Sequence, residues 1–159
     1  MVEFQDLHRL PTFEDLSRKE LEAVAPLCEK RRIAKGVTLF QEDRQATRLY
    51  VLDAGRIVIL MNGAHGQRAM VYTVQPGESF SWSALVPPRR YTASALAIES
   101  SDVYEIDGRK LSRLFKREPA LGYKIMCRVS QLVSKRLRHT RLQLLNIHDW
   151  QTAEQAQAV

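Results

Sequence analysis

The sequence has no long hydrophobic run and no N-terminal targeting segment. Its longest uncharged apolar runs, such as Ile57 to Met61, are far shorter than the roughly 20 residues that a membrane-spanning helix requires. The chain starts Met-Val-Glu-Phe-Gln-Asp, without the basic start and apolar stretch of a signal peptide. We therefore expect a cytoplasmic protein that does not enter a membrane. With 159 residues, of which 45% are hydrophobic and 26% charged, it is expected to form one folded domain.

Cysteine is scarce, and the motifs of common enzymes are absent. Cys28 and Cys127 lie in segments whose pattern is helical and have no C-x-x-C spacing, so neither a disulfide framework nor a zinc site is predicted. The sequence also lacks G-x-S-x-G, G-x-x-x-x-G-K-[ST] and G-x-G-x-x-G motifs. We therefore expect no metal, no cofactor and no catalysis. No two histidines have the H-x-H or H-E-x-x-H spacing of a metal site. The four histidines are His8, His65, His139 and His148.

Acidic residues are missing from one C-terminal segment. The chain carries 24 basic and 18 acidic residues, a net charge of +6. Residues 119–148 hold six basic residues and no acidic one, so this segment carries the net charge of the whole chain. A solvated helix face is the favoured interpretation of such a run. Contact with an acidic protein or nucleic acid, or with a membrane, is the alternative.

The spacing of apolar residues changes twice along the chain. Residues 11–29 are predicted to form short helices, residues 30–107 alternate with a period of two, and residues 108–148 are predicted to be helical again. Regularly spaced strands favour a mainly β fold, an antiparallel sandwich or jelly roll with flanking helices. We expect one domain over residues 1–148 and a tail over 149–159. The predicted strands are Arg32–Ala34, Val37–Gln41, Leu49–Leu52, Arg56–Met61, Arg68–Val74, Tyr91–Ile98 and Val103–Ile106.

The last helix is too long for a small β domain to cover. A helix opening at Pro119 and running for about 28 residues would measure roughly 42 Å. Its apolar residues recur at helical spacing and form one stripe, so we expect part of the stripe to pack against a second copy of the chain. The residues assigned to this dimer helix are Ile125, Val129, Leu132, Val133, Leu137 and Leu144.

The stretch from Pro76 to Ala95 interrupts the strands. It contains several hydroxyl side chains, a double proline and the pair Arg89-Arg90. A single helical turn opening near Ser81 would aim backbone N–H groups of Ser83 and Ala84 outward, and an anion bound there could be neutralised by an arginine. A stiff connection with solvated arginines is the structural alternative.

The order of these features resembles the cyclic-nucleotide-binding domain family. This is the β-roll shared by catabolite activator proteins, the regulatory subunits of cyclic-AMP-dependent kinase and cyclic-nucleotide-gated channels. The resemblance implies an antiparallel jelly roll (β-roll) and a phosphate-binding cassette between two strands. The residues that carry it are Gly36, Leu39-Phe40, Asp43, Ala46, Leu49-Tyr50-Val51-Leu52, Gly55, Pro76-Gly77-Glu78, Ala84-Leu85, Thr92-Ala93-Ser94, Pro119 and Lys135-Arg136-Leu137.

The cassette departs from the family pattern at its ligand contacts. The family usually has Gly-Glu-x-Ala-Leu, with the glutamate on the ribose, and later an arginine on the cyclic phosphate. With Ala84-Leu85 and Thr92-Ala93 as anchors, Ser81 takes the glycine position, Trp82 the glutamate position and Tyr91 the arginine position. A neutral tyrosine binds phosphate more weakly than an arginine, and an indole accepts no hydrogen bond. We therefore expect conventional cyclic AMP binding to be weak or absent.

A second register would give the glutamate role to Gly77-Glu78, but it places Phe80-Ser81 where the family has Ala-Leu, and we reject it.

Arg89 shares the strand parity of Tyr91 and is expected to point to the same side if this segment is extended. In the catabolite-activator branch a threonine on the long helix reaches the base, and Thr140 occupies that place here. The predicted ligand-binding set is Ser81, Trp82, Ser83, Ala84, Arg89, Arg90, Tyr91, Thr92 and Thr140.

Two functions remain open. The first is a stand-alone sensor that binds a small anion or nucleotide as effector and signals through a dimerising C-terminal helix. The second is an interaction or scaffold protein whose pocket is filled by Trp82. The family's transcription factors carry a helix-turn-helix domain after the long helix, and only a short tail follows here, so sequence-specific DNA binding is not expected of this chain alone.

Overall fold

The computed structural model describes the backbone of residues 2–157 and the side chains of residues 2–146. Eight antiparallel strands form two sheets, in the orders β1-β8-β3-β6 and β2-β7-β4-β5. This confirms the predicted jelly roll with flanking helices. The elements are α1 Phe4–His8, α2 Arg18–Val24, β1 Cys28–Ile33, β2 Thr38–Phe40, β3 Arg48–Ala54, β4 Ile57–Asn62, β5 Arg68–Val74, β6 Ser79–Phe80, β7 Ser94–Ala97, β8 Ser101–Asp107, α3 Gly108–Arg117 and α4 Pro119–Gln157, with short 3-10 helices at Pro11–Phe13, Ala25–Leu27 and Trp82–Ala84.

The structure corrects the prediction at three strands. Cys28 begins β1, so the helical assignment of this residue was wrong. The strand shows no apolar alternation because it lies at a sheet edge and its four central residues are exposed. β6 has two residues, too few for a pattern to reveal. Tyr91 lies outside β7, because its backbone bonds to Arg44 and Asp43 instead of to a strand of either sheet.

The hydrophobic interior has two parts that share β3. Tyr50 and Leu52 face the space between the sheets, which we call the roll core. Leu49 and Val51 face the other side, where they pack with the helices in the helical core. Because alternate side chains of a strand point to opposite faces, a strand buried on both sides is apolar at every position. This explains the uninterrupted Leu49-Tyr50-Val51-Leu52 run.

Side-chain caps stabilise the starts of α2 and α3. Ser17 and Glu20 form a reciprocal capping box at α2, with Glu20 N–H donating to Ser17 Oγ at 3.3 Å and Ser17 N–H donating to Glu20 Oε2 at 2.7 Å. Asp107 caps α3 by accepting the Lys110 N–H at 2.8 Å. Pro119 is the first residue of α4, where its missing N–H costs no hydrogen bond.

The chain divides into two compact units after Val129, within α4. Ile125 and Val129 are 0% and 3% exposed and belong to the helical core of the first unit. Their assignment to a dimer surface was therefore wrong, because they already pack against their own chain. In the second unit, Leu132 is half-buried, whereas Val133, Leu137 and Leu144 are exposed.

Two basic residues at the start of α4 form ion pairs with acidic residues of the N-terminal segment. Lys124 Nζ lies 2.8 Å from Glu20 Oε2. Arg128 pairs with Asp15 at 2.6 Å and also with Glu14. The hydrogen bond from Arg128 lowers the pKa of Asp15. Lys124 and Arg128 therefore join the start of α4 to the N-terminal helices, which the interpretation of segment 119–148 as a solvated basic face did not foresee.

Candidate functional site

Residues 79–93 form the cassette. β6 pairs with β3, the chain then reverses at Ser81, and one 3-10 turn follows over Trp82–Ala84. Ser81 has φ 64°, in the left-handed region that favours glycine, which supports the register that places it at the family's glycine. The predicted single turn is present. However, the Ala84 N–H donates to the Ser81 carbonyl at 3.1 Å and is not a free donor for an anion.

The side chains at the start of the cassette serve the local fold. The Ser81 hydroxyl donates to the Arg48 carbonyl at 2.8 Å. Trp82 is half-buried and packs against the helical core, not the roll core. The idea that Trp82 fills the ligand pocket was therefore wrong, because its ring lies on the side of the helices.

Tyr91 is the side chain that fills the roll. It is 5% exposed and stacks on Phe40, with ring centroids 4.1 Å apart and planes at 19°. Phe40 in turn contacts Tyr50 and Phe80, so four aromatic rings meet between the sheets. The Tyr91 hydroxyl accepts the Thr47 N–H at 3.4 Å. A stacked and hydrogen-bonded tyrosine thus occupies the position where the family pattern has an arginine.

Arg89 points away from the roll. Its φ of 57° shows that the segment is not extended, so the condition under which Arg89 and Tyr91 would face the same side is not met. Two prolines precede Arg89. The side-chain direction of a residue in the left-handed region cannot be predicted from the alternation of a strand. The Arg89 guanidinium donates to Ser112 Oγ on α3 at 3.2 Å, and the Ser112 hydroxyl donates to the Gly108 carbonyl at 2.7 Å.

The cassette and α3 are in close contact. A Cβ placed on Gly108 would lie 2.8 Å from the Ala84 carbonyl oxygen and 2.9 Å from the Ala84 Cβ. The Gly108 N–H donates to the Thr47 carbonyl at 2.9 Å. Sequence analysis did not assign Gly108 or Ser112 to the site. A glycine at the first position of a helix, where no turn requires it, is the signal that could have found this contact.

The remaining candidates are dispersed. Arg90 and Thr92 are exposed, and Arg90 forms an isolated β-bridge with Gln45. Ser83 is half-buried in the 3-10 turn. Thr140 is exposed in the second unit, and its hydroxyl donates to the Arg136 carbonyl at 3.0 Å. The roles of these residues in ligand binding stay predictions.

Glu78 is engaged in the turn before β6. Its Oε2 accepts the Tyr72 hydroxyl at 2.7 Å and the Gln75 N–H at 3.1 Å. These bonds hold the carboxylate against the β5–β6 connection, where it fixes the turn. They argue against the rejected register, in which Glu78 would bind a ribose.

Two buried carboxylates on the first sheet hold several cations of the chain. Glu105 is 4% exposed and accepts from Arg31 at 2.8 Å and from Arg48 at 2.7 Å. Asp53 accepts from Arg9 at 2.6 Å and from Lys30 at 2.9 Å. Burial raises the pKa of Asp53, but the hydrogen bonds from these two cations outweigh burial, and the pKa is lowered overall.

No metal centre or disulfide is present in the described part of the chain. Among its residues, no group of three or more His, Cys, Asp or Glu side chains comes together. Cys28 and Cys127 are free thiols, and burial raises the pKa of Cys28 to about 12. None of the helices of residues 2–157 combines the length and the apolar character needed to cross a membrane.

Comparison with known proteins identifies relatives of this architecture. Residues 30–118 match the family model of the cyclic nucleotide-binding domain. A cyclic AMP receptor protein of Thermus thermophilus is 23% identical over 134 residues, which cover 84% of this chain and 60% of the relative. The chain spans between 30% and 60% of the length of the curated relatives it matches.

Two solved structures superpose closely. A candidate cyclic nucleotide-binding protein of Geobacter metallireducens has a TM-score of 0.78 at 28% identity, covering 86% of this chain and 99% of the other. A cyclic nucleotide-binding domain of Methylobacillus flagellatus has a TM-score of 0.78 at 18% identity, covering 90% of this chain and 80% of the other. At 18% identity, the second similarity concerns the fold alone.

Proposed function

The chain belongs to the cyclic nucleotide-binding domain family, and we propose that it is a regulatory module in which the cassette controls α3. The observation that carries this proposal is the contact between the two elements, where Arg89 donates to Ser112 and Gly108 lies against Ala84. A displacement of Arg89 or Ala84 would alter these contacts with α3. The cassette therefore has a direct route to the helix that follows the roll.

The effector we propose is a small anion or a nucleotide. Arg89 is the half-buried cation of the cassette, and a ligand phosphate would compete with the Ser112 hydroxyl for its guanidinium. A phosphate adds its own negative charge and can accept two parallel bonds from a guanidinium, whereas the Ser112 hydroxyl is neutral and accepts one, so the exchange is favourable if the anion reaches Arg89. Binding would thus release Ser112 and loosen the cassette from α3.

Cyclic AMP is not expected to bind by the family's usual contacts. Trp82 cannot accept a ribose hydroxyl, and Tyr91 carries no charge and is stacked on Phe40. A cyclic nucleotide placed between the sheets would have to displace this ring. Strong cyclic AMP binding would contradict this expectation.

A second candidate function is a ligand-free interaction module. The Tyr91 ring between the sheets favours it, because four stacked aromatic side chains leave the roll filled by the protein itself. In that case the fold presents surfaces to a partner protein and does not sense an effector. The two functions differ in their response to ligands.

Association through the second unit is part of the proposal. Val133, Leu137 and Leu144 are 37%, 48% and 61% exposed, and apolar side chains at helical spacing on a solvent-facing surface favour a helix partner. We propose that a second copy of the chain covers them, as the apolar stripe predicts. A binding role, without catalysis, and a cytoplasmic location accompany this proposal.

Thermal-shift and calorimetric titrations separate the two functions. The ligands are cyclic AMP, cyclic GMP, other mononucleotides and inorganic phosphate, tested on the unmodified chain and on Arg89→Gln. The matched control is Arg68→Gln, which removes the same charge from an exposed residue of β5 outside the cassette. The sensor function predicts that a ligand stabilises the unmodified chain and the control but not Arg89→Gln. No response to any ligand would favour the interaction module.

A further inference from the structure

Every exposed side chain of α3 is basic. The apolar residues of the helix pack in or against the helical core: Leu111 and Leu114 are buried and Phe115 is half-buried. No acidic residue interrupts the outer face. The structure gives none of the basic side chains an ion pair within residues 2–146, whereas Arg31 and Arg48 on the first sheet both pair with the buried carboxylate of Glu105. The basic residues of α3 are Arg109, Lys110, Arg113, Lys116 and Arg117.

Part of this charge opposes the stability of the helix. Arg109 and Lys110 lie in the first turn, where the positive end of the helix dipole disfavours cations. Arg113 and Arg117 are four residues apart on one face, a spacing at which like charges repel. Lys116 and Arg117 lie in the last turn, where the dipole favours cations. Helix stability therefore accounts for the charge at the end of α3 but not for Arg109, Lys110 and Arg113, for which a binding role does.

Four of the five basic residues of α3 line an open groove. Leu27, from the 3-10 helix before β1, lies against Lys110, Arg113, Lys116 and Arg117 around a volume of about 450 Å³. Leu27 is half-buried and packs on the helical core, so it forms a fixed apolar floor. We call this feature the α3 groove, with an apolar floor and a cationic rim.

We propose that the α3 groove binds an acidic peptide segment of a partner protein. Its carboxylates would meet the arginine and lysine side chains of the rim, and one apolar side chain would lie on Leu27. Arginine pairs with carboxylates through two parallel hydrogen bonds, which suits a rim containing Arg113 and Arg117.

The floor argues for a peptide over other anions. A nucleic acid would contact the rim through its phosphates and gain nothing from Leu27. An anionic membrane would favour an exposed apolar side chain that can insert, and α3 exposes none, because Leu111 and Leu114 are buried and Phe115 is half-buried. The groove does not depend on the effector proposed for the cassette.

The test is fluorescence anisotropy with the full chain and a short labelled peptide of glutamates around one central leucine. The first comparison peptide has glutamine in place of glutamate, and the second has glycine in place of leucine. A single-stranded oligonucleotide of equal charge is the third probe. We expect the acidic peptide to bind, the glutamine peptide to lose binding and the glycine peptide to bind more weakly.

A triple variant that removes three rim charges is expected to weaken peptide binding about tenfold or more. It carries the substitutions Lys110→Gln, Arg113→Gln and Arg117→Gln. The control Lys19→Gln, Lys35→Gln, Arg68→Gln removes three exposed cations elsewhere and should change it little. All six positions are exposed, so both variants are expected to fold, which circular dichroism checks.

Three results would overturn the proposal. The first is that the unmodified chain does not bind the acidic peptide. The second is that both triple variants weaken peptide binding equally. The third is that the oligonucleotide binds as tightly as the peptide. The last result would assign the groove to nucleic acid.

Discussion

Tyr91 is expected to be a main contributor to the stability of the roll, although it sits in a loop. Its side chain is 5% exposed, and its ring stacks on Phe40 at 4.1 Å. Truncating a buried aromatic side chain to alanine typically costs about 3–5 kcal/mol, because the transfer free energy is lost and a cavity remains. We expect Tyr91→Ala to lower the free energy of unfolding by that amount. Tyr91→Phe removes only a long hydrogen bond from Thr47 N–H and should cost about 1 kcal/mol or less.

Urea denaturation followed by fluorescence measures both variants, and a double-mutant cycle isolates the stacking. Tyr91→Leu and Phe40→Leu are combined in one chain, and the coupling between them is expected to be about 0.5–1.5 kcal/mol. A cost below about 1 kcal/mol for Tyr91→Ala would place the ring in solvent and refute the filled roll. A coupling near zero would mean that the stacked geometry contributes nothing.

Three further predictions concern the contacts around the cassette, the sheet and the long helix. Gly108→Ala should destabilise the domain by about 1–3 kcal/mol in thermal melts, because its Cβ has no room against the cassette carbonyl. Asp53→Asn should cost about 1–3 kcal/mol at pH 7 by removing the acceptor of Arg9 and Lys30. The pKa of this carboxyl is lowered by folding, so its contribution is present above about pH 4 and is lost as the pH falls further, and urea titrations at pH 7 and pH 3 should show the difference shrinking. Leu137→Glu should convert a dimer to a monomer in light scattering, and a monomer before the substitution would disprove the second-copy proposal.

Alternation of apolar residues is sufficient to predict most of the roll. A period of two depends only on which face of a strand is buried, and β3, β4, β5 and β8 lie close to their predicted positions. Only the end of β1 was predicted, at Arg32–Ala34, because an edge strand with exposed polar residues carries no such period. The fold class was therefore accessible from sequence, while the start of β1 and the two-residue strand β6 were not.

The backbone course of the cassette could be predicted from the sequence, but the directions of its side chains could not. The register aligned Ser81 with the family's glycine, and Ser81 has the left-handed conformation that favours glycine. It did not indicate that Arg89 turns outward or that Trp82 packs on the helices, since both depend on contacts with residues distant in sequence. The same reason explains why the stripe of α4 did not indicate that Ile125 packs within its own chain: periodicity identifies an apolar face but not its partner.

β3 belongs to two hydrophobic interiors at once, and this makes them thermodynamically inseparable. The strand that presents Tyr50 to the roll core presents Leu49 and Val51 to the helices. Neither interior can melt while the other stays intact, because losing β3 removes a wall from both. Residues 2–129 should therefore unfold in one cooperative transition, and amide hydrogens of β3 should exchange only through global unfolding. The strand next to the cassette is then the slowest part of the domain to open.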